Sequence, residues 1–177
     1  VTADRAGPPG CALRAALLVL SDRAARGERE DRSGPALADW LAERGAQVVA
    51  LRVLPDDREP IADQLRRWAD GGTCDLILTC GGTGLAPRDV TPEATAAVIE
   101  RSVPGLGEEM RRAGSASTPR ALLSRARGGV RGRCLVLNLP GHPDAALESL
   151  ASVWPILGHA VATIHGDVGD CHDTPER

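Results

Sequence analysis

The stretch TCGGTGLAPRDVTPEAT, Thr79–Thr95, gathers three glycines, an arginine, an aspartate and a Thr-Pro-Glu helix opening directly behind an apolar run. Around Thr83, the glycines Gly81, Gly82 and Gly84 free the backbone to turn with positive φ and to bring successive N–H groups up to one anion. A plain strand-to-helix turn has the same composition. Two established phosphate patterns are absent: no Gly-Lys pair follows the loop, and GxGxxG does not fit. Arg88 and Asp89 shift the balance toward a phosphate site, because a guanidinium takes phosphate and a carboxylate takes a divalent cation. A second carboxylate, Asp56, stands in the Pro55-Asp56-Asp57 turn. Two carboxylates from different strand ends are a common means of holding Mg²⁺ against a nucleotide. Asp57 reads as a turn neighbour.

Three further segments are candidates, each with a plain reading as a turn, cap or solvated loop. Ser21-Asp22-Arg23 closes the first apolar run. Ser124-Arg125 opens a basic stretch, 124–133, that reads as a second anion pocket or a mobile loop. Asn138-Leu139-Pro140-Gly141 is another strand-to-helix junction, where Gly141 admits a close ligand. His142 has no partner in sequence. Trp40, Trp68 and Trp154 sit at helical apolar positions and read as core or subunit contacts.

These residues need a frame to bring them together. Continuous or alternating apolar runs predict strands over 15–20, 47–54, 75–79 and 134–138. Helical spacing predicts helices over 34–44, 59–69, 91–100, 104–114 and 144–164. Thr91-Pro92-Glu93 supplies a cap, a first-turn proline and a charge suited to the helix dipole. Alternating strands and helices imply an α/β fold, a mostly parallel sheet with helices on both faces. Ligands of such sheets bind beyond the carboxyl ends of the strands, where all the candidate segments fall. One domain over 13–166 is expected, with a disordered tail over 1–12 and a second tail over 167–177.

Composition narrows the function classes. The 177 residues carry a net charge of −3, which argues against a broad nucleic-acid surface. Every basic residue is arginine, so a phosphate clamp must use Arg or backbone N–H groups. The five cysteines lack CxxC spacing and no histidine stands at ligand spacing to them, which predicts buried free thiols in a reducing cytoplasm and no zinc site. The apolar run 15–20 is too short to cross a membrane.

Taken in order, Thr79–Gly84 with Pro87–Thr95, Ser21–Arg23, Pro55-Asp56, Val103–Met110, Leu123–Arg125 and Asn138–Gly141 resemble the signature of the molybdopterin adenylyltransferases. That group includes MogA, the plant Cnx G domain and the gephyrin G domain, with MoaB as a near relative. The likeness spans about residues 14–165. It implies a three-layer α/β/α domain, a homotrimer, and transfer of AMP from Mg-ATP to the terminal phosphate of molybdopterin with release of pyrophosphate. A separate molybdenum insertase would take the product. By position, Asp56 and Asp89 match the catalytic aspartates and the Mg²⁺ site. Gly81–Gly84, Arg88, Asn138, Pro140 and Gly141 match nucleotide and phosphate contacts, and Ser21, Asp22, Arg23, Ser124 and Arg125 match the pterin side. The alternative implied by the near relative is a molybdopterin carrier or scaffold with little turnover.

Overall fold

The computed structural model describes residues 12–167. The two expected tails lie almost wholly outside the described residues. The chain runs β1 (Arg14–Leu20), α1 (Asp22–Ala25), α2 (Ser33–Glu43), β2 (Gln47–Leu54), α3 (Arg58–Asp70), β3 (Leu76–Cys80), α4 (Thr91–Ala96), β4 (Arg101–Ser102), α5 (Pro104–Ser117), a 3₁₀ turn (Pro119–Leu123), β5 (Gly128–Arg131), β6 (Cys134–Leu139) and α6 (Pro143–His165). The sheet order is β2-β1-β3-β6-β5-β4. The first four strands in that order are parallel, and β5 and β4 complete the sheet antiparallel.

Buried on both faces, the parallel strands send alternate side chains into two cores. Leu17, Leu76, Leu78, Leu135 and Leu137 pack toward α2, α5 and α6. Leu18, Ile77 and Val136 pack toward α3 and α4, against Ile61, Leu65 and Ala94. The result is the expected α/β/α sandwich with a mostly parallel sheet. Trp40 and Trp154 meet edge to face at 5.2 Å, bracing α2 against α6, and the Arg44 guanidinium covers Trp40. By length and composition α6 could cross a membrane, but it lays Ala146, Leu150, Val153, Leu157 and Val161 into the core.

Three expectations need correction. The helix opened by Thr91 ends at Ala96, not near 100, because Val98 and Ile99 turn into the α3 side core and Glu100 N–H bonds Val130 O. The chain thereby reaches the edge strand β4. Within the supposed loop 124–133, residues Gly128–Arg131 form β5, whose glycine-rich sequence hides it from periodicity. The helix over 104–114 continues to Ser117, where Pro119 ends it.

β1 feeds β2 on one side while β3 lies on its other side, so the strand order reverses between β1 and β3. Crevices form at such a switch point, beyond the carboxyl ends of the strands. The core beneath it is tightly packed: Leu137 is fully buried. Leu137→Ala should cost about 3 kcal/mol of stability, read as a lowered urea midpoint with an unchanged slope.

Candidate functional site

The glycine loop leaves β3 at the switch point. Gly81 has φ 119°, and a Cβ there would stand 2.2 Å from Leu20 O, so the loop passes against the end of β1 at a distance only glycine allows. Gly82 follows at φ 61°, where a Cβ would meet Thr91 Oγ1 at 2.3 Å and Asp56 Oδ1 at 3.0 Å. A methyl group on Gly84 would reach within 2.7 Å of Asp89 Oδ2. The two aspartates thus flank one short loop.

The loop's carbonyls are all taken. Thr91 Oγ1–H donates to Gly81 O at 2.9 Å and Thr91 N–H to Gly82 O at 3.1 Å. Arg125 N–H donates to Thr83 O at 2.9 Å and Arg125 Nε–H to Gly84 O at 2.7 Å. Among the described residues, the N–H groups of Gly82, Thr83 and Gly84 have no protein acceptor. Buried or partly buried N–H groups require acceptors. Three successive open donors at a strand end form an anion cradle.

Arg125 was expected on the pterin side. Its guanidinium instead bonds Gly84 O, Asp89 O and the Glu93 carboxylate, which makes it the residue that shapes the loop. Arg88 was expected on phosphate. It is bound to Asp22 through two nitrogens, at 2.7 and 3.1 Å, and to Asp57 at 3.0 Å. Asp57 is therefore more than a turn neighbour. Asn138 was expected at the nucleotide. Its amide is fully buried and donates to Thr79 Oγ1 at 3.0 Å and Thr95 Oγ1 at 2.8 Å, tying β6 to β3 and α4.

Asp56 and Asp22 exchange reciprocal bonds: Asp22 N–H to Asp56 Oδ2 and Asp56 N–H to Asp22 Oδ1, each 3.1 Å. Asp89 Oδ2 accepts from Ala86 N–H at 2.8 Å. Each aspartate of the couple is thus anchored through one oxygen, while its Oδ1 has no partner among the described residues. Both line one polar cavity of about 310 Å³ together with Ser21, Gly81, Gly82 and Gly141. Two open, hard carboxylate oxygens suit Mg²⁺, which is held by one or two carboxylates and completed by phosphate and water. No group of three or more acidic, His or Cys side chains gathers for a metal among the described residues.

A second cavity of about 270 Å³ opens on the far side of the loop, lined by Thr83, Gly84, Met110, Arg111, Ser124 and Pro140. The residues expected for the pterin are therefore divided. Ser21 faces the polar cavity and Asp22 pairs with Arg88 beside it, whereas Ser124 faces the second. Arg23 is exposed and lines neither. Arg111 holds the wall of the second cavity by donating to Ser124 O at 3.3 Å and Ala126 O at 3.0 Å.

Sequence reasoning passed over Asp31-Arg32-Ser33. Asp31 Oδ1 caps α2 by accepting from Ser33 and Gly34 N–H at 2.9 and 3.1 Å. Ser33 Oγ–H bonds Gly141 O at 3.0 Å, and Cys80 Sγ–H bonds Pro140 O at 3.0 Å, fixing the Asn138–Gly141 turn from below. The available signal was an Asp-x-Ser-Gly-Pro helix start after the first strand. Burial pushes the Cys80 thiol up to about 12, which keeps it an inert packing group. Cys74 and Cys134 are likewise free and buried.

Burial raises the Asp56 pKa above the ordinary 3.8; the Asp22 and Asp89 charges add to this, and the Asp22 N–H opposes it. A carboxyl with a raised folded-state pKa favours the fold below its unfolded pKa, and this contribution is lost as pH rises through the raised value. Above the raised value the Asp56 carboxylate therefore opposes folding. Asp56→Asn should raise the melting temperature of the ligand-free protein at pH 7, with the gain shrinking as pH falls toward 3.8, by calorimetry across pH. Asn138→Ala should cost about 2 kcal/mol in chemical denaturation yet leave phosphate affinity of the folded protein unchanged.

The chain's relatives accord with this site. A family profile described as a probable molybdopterin binding domain matches residues 16–159. The molybdopterin adenylyltransferase of Escherichia coli (strain K12) is 43% identical over 156 residues, which cover 87% of this chain and 79% of that protein. The molybdopterin adenylyltransferase of Helicobacter pylori (strain J99) is 40% identical over 153 residues, covering 85% of this chain and 87% of that one. The crystal structure of the molybdopterin biosynthesis enzyme MoaB from Thermus thermophilus superposes with a TM-score of 0.82 at 51% identity, over 87% of this chain and 97% of its own. Fold, glycine loop and sequence agree, and the chain belongs to the molybdopterin-binding family of molybdenum cofactor biosynthesis that contains the molybdopterin adenylyltransferases.

Proposed function

We propose that this protein is a molybdopterin adenylyltransferase that moves AMP from Mg-ATP to the terminal phosphate of molybdopterin. The observation that carries the reading is the pair of open carboxylate oxygens, Asp56 and Asp89, set against three unpartnered N–H groups in one loop. The carboxylates suit a cation and the N–H groups suit phosphate. The names of the relatives supply the substrates.

The chemistry asks for little acid–base help. A phosphate oxygen of the pterin forms a bond to the α-phosphorus of ATP while the α–β bridging bond breaks, and pyrophosphate leaves with the electron pair. The nucleophile is already an anion, so the difficulty is bringing two polyanions together. Positioning and charge neutralisation then carry the reaction. Asp56 and Asp89 would hold Mg²⁺, which would supply neutralisation of the phosphate oxygens. Gly82, Thr83 and Gly84 donate N–H groups along the phosphate chain. Arg125 and Thr91 keep those donors aimed, and Arg88 fixes Asp22, which in turn orients Asp56. The polar cavity takes the triphosphate, and the cavity beside Ser124 takes the pterin ring, with the glycine loop as the shared wall.

Family resemblance alone supports the remaining elements: a homotrimer, a cytoplasmic location and a separate molybdenum insertase as the recipient. The high identity to a MoaB favours one second reading, a molybdopterin carrier with little turnover. Incubation with Mg-ATP and molybdopterin decides between them. The expected outcome is adenylylated molybdopterin by mass, with stoichiometric pyrophosphate; binding without pyrophosphate marks a carrier. Asp89→Ala should lower the rate by at least about a hundredfold, comparable to loss of an electrostatic stabiliser, and leave molybdopterin affinity largely intact by titration calorimetry.

A further inference from the structure

Arg88, the arginine best placed in sequence to bind phosphate, is committed to Asp22 and Asp57. With no lysine in the chain, a triphosphate's outer phosphates have the cation and loop N–H groups but no assigned cationic side chain. Two other arginines line the polar cavity. Arg29 and Arg32 lie on the segment between α1 and α2, and Glu30, Asp31, Asp56 and Asp89 line the same cavity. Neither guanidinium has a hydrogen-bond or ion-pair partner among the described residues. Both residues are exposed, and neither belongs to a hydrophobic core. Their neighbour Asp31 is anchored through Oδ1 by the first N–H groups of α2 and makes no ion pair with either arginine among the described residues.

We infer that Arg29 and Arg32 form a pyrophosphate subsite, which binds the β- and γ-phosphates of the nucleotide and holds the departing pyrophosphate. The inference rests on the adenylyl-transfer reading of the same cavity. Its physical basis is a division of charge. The carboxylates that line the cavity attract the cation and would repel free phosphate, so a bound anion needs positive charge among the lining groups. Free guanidiniums are suited to that role, because they bind two phosphate oxygens at once and stay charged at any working pH. The loop N–H groups remain available for the α-phosphate, where the bond changes.

The test compares wild type with Arg29→Ser, Arg32→Ser, the double variant and the matching lysine replacements. Inorganic pyrophosphate, ATP and AMP are titrated calorimetrically. The double variant should bind pyrophosphate and ATP at least about tenfold more weakly, the loss expected for a charge-assisted contact, with lysine restoring part of it. AMP lacks the outer phosphates, so its affinity should be unchanged, and this also reports an intact fold. In turnover, KM for ATP should rise and the pyrophosphate inhibition constant should rise with it. Unaltered pyrophosphate affinity in the double variant overturns the subsite, as does an equal loss of AMP and pyrophosphate binding. Failure of the wild-type protein to make adenylylated molybdopterin overturns the reading of the reaction instead, and the direct pyrophosphate titration separates the two.

Discussion

The site depends on where four carbonyl groups point. Thr91 and Arg125 take the carbonyl oxygens of residues 81–84 into the protein, and a peptide unit whose oxygen is fixed inward turns its N–H partner outward. That constraint explains why the loop is built of glycine where it touches β1 and α4, and why α4 begins with threonine. It also explains why an arginine far along the chain reaches back to the loop. Without the inward bonds, the open N–H groups would have no defined direction and the aspartates would have no fixed wall to face.

Electrostatics then divides the space around the loop. On one side Asp56 and Asp89 each leave an oxygen open, anchored through the other by Asp22 and Ala86 N–H groups. Arg88 offsets the crowding of acids by binding Asp22 and Asp57, and it holds the Asp22 carboxyl below its usual range, first through the hydrogen bond between them. On the other side, Arg111 shapes a more apolar wall by gripping the backbone of 124–126. Burial raises the Asp56 pKa, and perturbations of this kind cluster at functional sites.

Much of the frame was legible in sequence because it obeys simple periods. Fully apolar runs marked β1, β3 and β6, and helical stripes placed α2, α3 and α6 to within a residue or two. β4 and β5 were not legible: two residues and a glycine-rich four carry no periodicity, and only the pairing of β5 to β6 and of β4 to β5 makes them strands. The acidic couple was visible because turn aspartates at strand ends converge in any doubly wound sheet. The arginines were not. A guanidinium reaches far enough that tertiary neighbours choose its partner, so sequence did not show that Arg88 meets Asp22 and Asp57 or that Arg125 meets Gly84 and Glu93. A strand end likewise gives no hint that the Asn138 amide turns inward toward Thr79 and Thr95. Arg29 and Arg32 lie in an aperiodic stretch and gain meaning only from the cavity they line.

The central claim is spatial: one cation lies between Asp56 and Asp89, with phosphate on the N–H groups of the glycine loop. Crystals grown with Mn²⁺ and a non-hydrolysable ATP analogue test it most directly through anomalous scattering. The account predicts a single strong peak bonded to one oxygen of each aspartate, with phosphate density along Gly82–Gly84. A peak held by other residues, or phosphates bound away from the loop, contradicts it.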